Sequence, residues 1–348
     1  MVATTLDPVF APPLGGVTAS RPAAPGAAES SPARRARVVA AVCVGVIVAA
    51  YVLARQYSFP GWVADIDQSL VGARALLHGR NPYTAVGPHG TDMYWPWPLF
   101  YPVPALILTM PFTALGVALF RPVFLGGSSA WLAYVLTRRD LLRLSVLGSA
   151  AFLGSIAAGA WEPLLVAAAL TPGACAAYLA KPNVGLVLSS GLPRRRATYV
   201  GIGVAVALFV ASVIVRPGWV PEWREALRAG THLTGPITRP GGFLVLAALV
   251  KWRRADARLL VLMASVPQSM ILEAALPLFL VARTRVETML LAMLSFIPYA
   301  VQLHYAALAA PFPQLTQATG AMMVPCLYLP CLAMVLRRPN RWTAIDDV

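Results

Sequence analysis

From residue 34 to its end the chain alternates long apolar runs with short polar junctions. The runs cover 38–54, 99–137, 144–160, 163–192, 198–215, 241–250, 258–282, 286–303 and 319–336. A helix needs about 20 apolar residues to cross the hydrocarbon core of a bilayer. The pattern therefore predicts an all-α integral membrane protein with roughly nine to eleven transmembrane helices. The first run follows Arg34, Arg35 and Arg37 and lacks a small-x-small cleavage site after it. It covers about 26 Å at 1.5 Å per residue, so it reads as an uncleaved signal anchor. Three runs are broken. The run 99–137 is interrupted at Pro111 and at Arg121-Pro122, and admits either two spans or one span plus a re-entrant piece. The run 163–192 breaks at Pro172-Gly173 and Lys181-Pro182, and 258–282 breaks at Pro267 and Pro277, as two half-spans would. Backbone groups freed at such breaks need protein or a wet cavity around them, which predicts a cavity near one membrane face. Residues 1–33 are rich in Ala, Pro, Gly and Ser and lack periodicity, so a disordered cytoplasmic tail is expected there. Residues 34–348 then form one polytopic domain.

Composition supports this and adds an orientation. The chain is 58% apolar and 12% charged, against about 25% charged in a soluble domain. Its net charge of +14 comes from arginines at 34–37, 138–143, 194–196, 251–258, 283–285 and 337–341, all at run ends. That is the positive-inside distribution rather than a nucleic-acid footprint, so no nucleic-acid partner is expected. It predicts a multi-pass plasma-membrane protein with both termini cytoplasmic and the loop 62–104 extracytoplasmic. Cys43, Cys175, Cys326 and Cys331 lie in apolar segments without metal spacing, and are read as small buried hydrophobes without a disulfide or zinc. The P-loop, G-x-G-x-x-G, G-x-S-x-G and H-E-x-x-H patterns are absent from the sequence.

Candidate chemistry concentrates in the loop 62–104. Asp65 and Asp67 share a side if the chain is extended and diverge in a turn. A partly buried carboxylate there suits a general base acting on a sugar hydroxyl. Asp67 equally fits the N-cap of a helix starting near Gln68. Residues 70, 71, 75, 76 and 77 make an apolar stripe, so 68–78 is expected as a short helix in the interface plane. Arg74 and His78 share a face of it, where they meet a phosphate or snorkel to headgroups. Tyr83, Tyr94, Trp95, Trp97, Phe100 and Tyr101 fit either an interfacial aromatic belt or a sugar-stacking surface. Asp92 reads as loop surface.

Beyond the loop, Lys181-Pro182-Asn183 places a cation at a helix break, beside a lipid phosphate or snorkelling to the interface. Glu162 and Glu273 stand at proline breaks, where an unpaired charge is costly, and each needs an Arg, Tyr or water partner. Gln268 lies between Pro267 and Pro277. His232 and His304 are expected in outer loops without metal spacing.

The series Asp65 … Ala73-Arg74-Ala75-Leu76-Leu77-x-Gly79-x-Asn81-Pro82-Tyr83, with Tyr101-Pro102, Pro111 and Lys181-Pro182-Asn183, resembles the GT-C-type membrane glycosyltransferases of family 87. That family includes actinobacterial polyprenol-phosphate-mannose-dependent α-1,2-mannosyltransferases. The resemblance covers about 38–336. It implies a GT-C-like bundle and inverting transfer of a sugar, mannose first, from a polyprenyl-phosphate donor to a glycolipid or cell-wall glycan acceptor. Asp65 would be the general base and Lys181 a neighbour of the donor phosphate. Asp67, Arg74, Tyr83, Tyr94, Trp95, Trp97, Tyr101, Asn183, Gln268 and Glu273 would surround the substrates, with no cofactor and no metal. The chain departs from the family at Gly159-Ala160-Trp161-Glu162-Pro163 and at Pro267-Gln268 with Glu273. A transporter or lipid flippase also accommodates broken helices and buried charges, although the chain lacks a clear internal repeat. A catalytically degenerate partner subunit is the third reading.

Overall fold

A computed structural model describes residues 31–138, 140–230 and 233–345. Residues 1–30 of the expected tail, and His232, lie outside the described residues. Residues 31–33 belong to the first helix instead.

The chain is mostly helical. Helix α1 (Ser31–Ser58) leads into α2 (Asp67–Leu77) and α3 (Pro82–Ala85), then a two-residue parallel ladder pairing Val86 with Met93 and Gly87 with Tyr94. Next come α4 (Val103–Thr109), α5 (Val117–Leu136), a 3-10 segment (Leu141–Gly148), α6 (Ala150–Ala158) and α7 (Glu162–Ala169). A second 3-10 segment (Pro172–Ala180) precedes α8 (Pro182–Ser189), α9 (Arg196–Val215) and α10 (Trp219–Arg228). The last third holds a 3-10 segment (Gly242–Lys251), α11 (Ala255–Ser265), another 3-10 segment (Leu272–Leu280) and α12 (Arg285–Ala307). It ends with α13 (Phe312–Met323), a π turn (Val324–Tyr328) and α14 (Leu329–Leu336).

Among the described residues, five helices are long and apolar enough to cross a membrane: Ala33–Ser58, Val117–Leu136, Arg196–Val215, Arg285–Ala307 and the continuous Phe312–Leu336. A sixth is obtained if Leu141–Gly148 and α6, bent by 59°, count as one span. The other apolar runs fold as short pieces. The ambiguous run 99–137 resolves into the ten-residue stretch Val103–Phe112 and one long helix, α5. At about 1.5 Å per residue the first piece reaches only about 15 Å, too short to cross. His304, expected in a loop, lies on the last turn of α12.

Helix α2 differs from its expected setting. Eight of its eleven residues are buried, and Gly72 stands against the side chains of Leu99 and Leu106. Leu70, Ala75 and Leu76 of its apolar stripe are buried, with the helix packed on α4, while Leu77 stays exposed. Of the four cysteines, Cys43 is exposed on α1 and the other three are buried and free.

The arginine-rich junctions gather at one end. Asp256, at the start of α11, accepts from Arg254 at 2.8 Å and Arg338 at 2.6 Å, with Arg283 at 3.3 Å. Arg338 also reaches Glu287 at 2.7 Å, and Glu287 closes a capping box with Thr284 at the start of α12. Arg285 pairs with Asp140. Arg138 caps the end of α7 by donating to the carbonyl of Leu170, and Arg258 does the same for α8 at Ser190. Helix α11 and the 3-10 segment Leu272–Leu280 form a hairpin, the α11 hairpin, whose two ends thus return to the same basic layer. From it, α7, α8 and the two nine-residue 3-10 segments reach about 12–18 Å, roughly two to three fifths of a core about 30 Å thick. Their far ends carry Glu162, Lys181 and Glu273.

Candidate functional site

Asp65 is anchored by backbone before it is anchored by side chain. Helix α6 ends at Gly159, whose left-handed φ of 68° turns the chain away. Two carbonyls at that end then accept from the loop after α1: Asp65 N–H donates to Ala158 O and Ile66 N–H to Gly159 O, both at 2.9 Å. A Cβ at position 159 would run into Ala64, so glycine is required for both the turn and the approach. Trp62 reinforces the dock by donating to Ala157 O at 3.1 Å.

The Asp65 carboxylate is half-buried and held at both oxygens. Tyr101 O–H donates to Oδ2, and Gln68 Nε2 donates to Oδ1 at 2.8 Å. Burial pushes the Asp65 carboxyl above its usual value of 3.8, against the opposing pull of Lys181 and the Tyr101 hydrogen bond. Burial and the neighbouring Asp65 keep the Tyr101 phenol well above its ordinary range, so it stays a donor. The Tyr101 ring lies against Trp161 at 6.0 Å between centroids, and Trp161 against Phe124 at 5.0 Å.

Lys181 faces the same centre. Its Nζ pairs with Glu162 Oε1 at 2.5 Å. Asp65 and Glu273 lie close enough to act on it electrostatically. Glu273, at the start of the 3-10 segment Leu272–Leu280, is buried. Glu162 is fully buried; its Oε2 and the Trp161 indole N–H have no hydrogen-bond partner. One carboxylate, Glu162, thus pairs with the ammonium, and two more, Asp65 and Glu273, act on it through space. Glu162, expected to find an arginine, tyrosine or water, pairs with lysine instead.

No family model, curated protein or solved structure matches this chain. The site must be read from its own geometry.

Several residues singled out in the sequence serve the scaffold. Asp67 does not cap α2: Ile66 occupies the N-cap without a side-chain bond. Asp67 accepts instead from the Ala64 N–H at 2.8 Å and from Arg121, whose Nε and Nη2 both reach it, the shortest contact being 2.6 Å. Arg74 donates to Thr113 O and Leu115 O, and His78 Nδ1 meets Arg74 O, so this pair fastens α2 to the chain before α5. Asn81 caps α3 by accepting from Tyr83 N–H at 2.9 Å. Asn183 donates to Pro267 O at 3.1 Å, and Gln268 Nε2 to Met263 O at 2.7 Å, with Thr234 bridging Gln268 through backbone. These three contacts hold the α11 hairpin tip over α8.

The aromatics divide. Tyr101 is in the cluster. Tyr83 is half-buried beside it, its O–H donating weakly to Tyr101 O at 3.4 Å, and burial pushes its phenol up. Trp95 packs partly on the core. Trp97 lies 6.2 Å from Phe312. Tyr94 is exposed. Asp92 pairs with Arg80 on the surface, and that hydrogen bond holds its carboxyl below the ordinary range.

Sequence reasoning did not single out Gln68, Trp161 or Arg121 as partners of the acids. Arg121 was visible only as a break in an apolar run. Among the described residues no group of three or more His, Cys, Asp or Glu is arranged to hold a metal ion. Chemically, the arrangement can take a proton at Asp65 and offer positive charge at Lys181 within a site walled by apolar helices.

Proposed function

We propose that the protein is an integral-membrane glycosyltransferase of GT-C type, resembling family 87, with a bundle of roughly nine to eleven crossings in which several of the short pieces count. It moves a sugar, mannose first, from a polyprenyl-phosphate donor to a lipid-linked or cell-envelope glycan acceptor. It works on the outer face of the plasma membrane, with both termini inside. The observation that carries this reading is the convergence of Asp65, Tyr101, Lys181 and the Glu162–Glu273 pair on one centre.

The acceptor hydroxyl attacks the anomeric carbon and gives its proton to Asp65. The bond from that carbon to the phosphate oxygen breaks, and the phosphate leaves with the electron pair. A carboxyl raised by burial is the better base near neutral pH. Lys181 offsets charge growing on the leaving phosphate, while Glu162 holds its ammonium in place. Tyr101 and Gln68 orient Asp65.

The test is transfer from a radiolabelled polyprenyl-phosphate sugar in membranes, wild type against Asp65→Asn. General-base loss predicts a fall of about 10²–10⁴-fold. Full activity in the variant removes Asp65 from the role. One observation favours a second reading: three carboxylates about one lysine, with a buried oxygen of Glu162 unpartnered, also suit a proton-coupled transporter or flippase. Lipid-dependent proton uptake by proteoliposomes, without sugar transfer, would select it. A chain that does neither would be a partner subunit.

A further inference from the structure

Among the described residues, a cavity of about 450 Å³ lies between the 3-10 segment Pro172–Ala180, α8 and α9. Cys175, Tyr178, Leu186, Ile202, Val206 and Phe209 line it, and its lining is almost wholly apolar. Leu186, Ile202, Val206 and Phe209 are exposed on its outer flank, so the groove opens sideways between α8 and α9. A membrane places hydrocarbon against such an opening, and a void of this size left empty would forfeit the dispersion contacts of every wall residue.

The charge at one end of the groove says which lipid fits. Its lower wall ends at Ser189 and Leu192, and the chain then runs through Pro193 into Arg194, Arg195 and Arg196, all exposed. From Glu162 to Glu222 the sequence has no acid between them, so the segment that builds the groove carries only positive charge. Among the described residues, Asp256 on the neighbouring α11 is already engaged by Arg254, Arg283 and Arg338, while Asp346 and Asp347 follow Ile345, whose N–H donates to Gly191 O. Ile202, the lowest groove residue of α9, stands six positions above Arg196, about 9 Å at 1.5 Å per residue. The headgroup layer of a bilayer leaflet measures about 5–8 Å. The basic step and the apolar groove are thus spaced as a headgroup and its chain are spaced.

We propose that an anionic phospholipid of the leaflet at the basic end sits here, its phosphate on Arg194 and Arg196 and one acyl chain in the groove. None of Asp65, Glu162, Lys181 and Glu273 lines the groove, and the proposal does not depend on the reaction proposed for them. Bound, the chain would brace α8, the helix whose first residue follows Lys181.

The test uses the full chain purified in detergent and native mass spectrometry, with equal amounts of phosphatidylglycerol, phosphatidylcholine and a polyprenyl phosphate. Wild type should retain phosphatidylglycerol over phosphatidylcholine by about 30-fold, the worth of two arginines beside an anionic lipid surface. Arg194→Ala with Arg196→Ala should bring that preference close to unity. Arg337→Ala with Arg341→Ala, exposed at the same end, should leave it intact. Ala205→Phe, which fills the groove, should reduce retention of every phospholipid. Equal retention of the two phospholipids, an equal effect of the Arg337/Arg341 pair, or preferential retention of the polyprenyl phosphate by wild type would overturn the proposal. Circular dichroism of each variant checks that it remains helical.

Discussion

Among the described residues, the charges around Asp256 and those around Lys181 are built to opposite rules. At the basic end, Asp256 is met by three arginines and Glu287 by Arg338 and two backbone N–H groups. Cations outnumber acids, and both oxygens of Asp256 accept hydrogen bonds. At the inner centre, three acids share one lysine, and a buried oxygen of Glu162 accepts nothing. A saturated network fixes helix ends. An undersaturated one has proton and hydrogen-bond capacity left over, and that capacity is the physical difference between a brace and a reactive site.

The largest test of the contrast is Asp256→Ala. It strands Arg254, which is buried, with Arg283 and Arg338, and removal of one partner from a buried ionic group costs roughly 3–5 kcal/mol. Thermal unfolding in detergent should show a loss on that scale. Glu162→Gln is the counter-test. Gln keeps an oxygen that accepts from Lys181 and removes a buried carboxylate, so the loss should be smaller than that of Asp256→Ala, which leaves its arginines no acceptor there. A loss matching that of Asp256→Ala would mean the two clusters are alike.

Next comes Asp65→Asn, where activity and stability should move apart. A carboxyl raised in the folded state binds its proton more tightly there than in the unfolded chain. Ionised Asp65 therefore weakens the fold as pH rises from the unfolded value of 3.8 through the raised folded value. Asn removes that cost, so the variant should melt higher than wild type at neutral pH and alike at acidic pH, while transferring sugar about 10²–10⁴-fold more slowly. Equal melting at every pH would contradict the raised carboxyl.

A smaller effect is expected from Tyr101→Phe. The lost hydrogen bond is one that lowers the Asp65 value, so the acidic limb of a pH–activity profile should move to higher pH. An unmoved limb would remove Tyr101 from the control of Asp65. The smallest effect belongs to Arg80→Ala, which breaks an exposed pair with Asp92. Surface pairs contribute little, and melting and activity should both be unchanged.

Much of this contrast was legible in the sequence, and the limits have a physical origin. The arginine runs predicted a common end, because like-signed run ends follow the membrane's own asymmetry. Asp65, Lys181, Glu162 and Glu273 were each marked by sitting at a break or just past an apolar run, and the structure pairs Lys181 with Glu162. The partners were not legible. Asp67 looked like a cap because spacing to Gln68 is local, whereas Arg121, its true partner, is 54 positions away. Arg74 read as meeting a phosphate or snorkelling to headgroups because a sequence does not show that two carbonyls before α5 take its guanidinium. The 3-10 segments were hidden for a related reason: apolar content sets burial, but not whether a turn closes at three residues or four.

The backbone dock of Asp65 on the end of α6 has a mechanical consequence. Helix α6 packs on the 272–280 segment and is tied to α12 by Ser295, whose Oγ accepts from Ala150 N–H at 2.9 Å. Asp65 and Glu273 therefore ride on one frame, while Glu162 and Lys181 ride on α7 and α8. If the two frames rock against each other, the gap between the acids of the first stays constant and the distance from Asp65 to the ammonium changes. The peptide bond at Gly159 is then the lever arm: it converts a tilt of helices into a change of field at a single carboxylate.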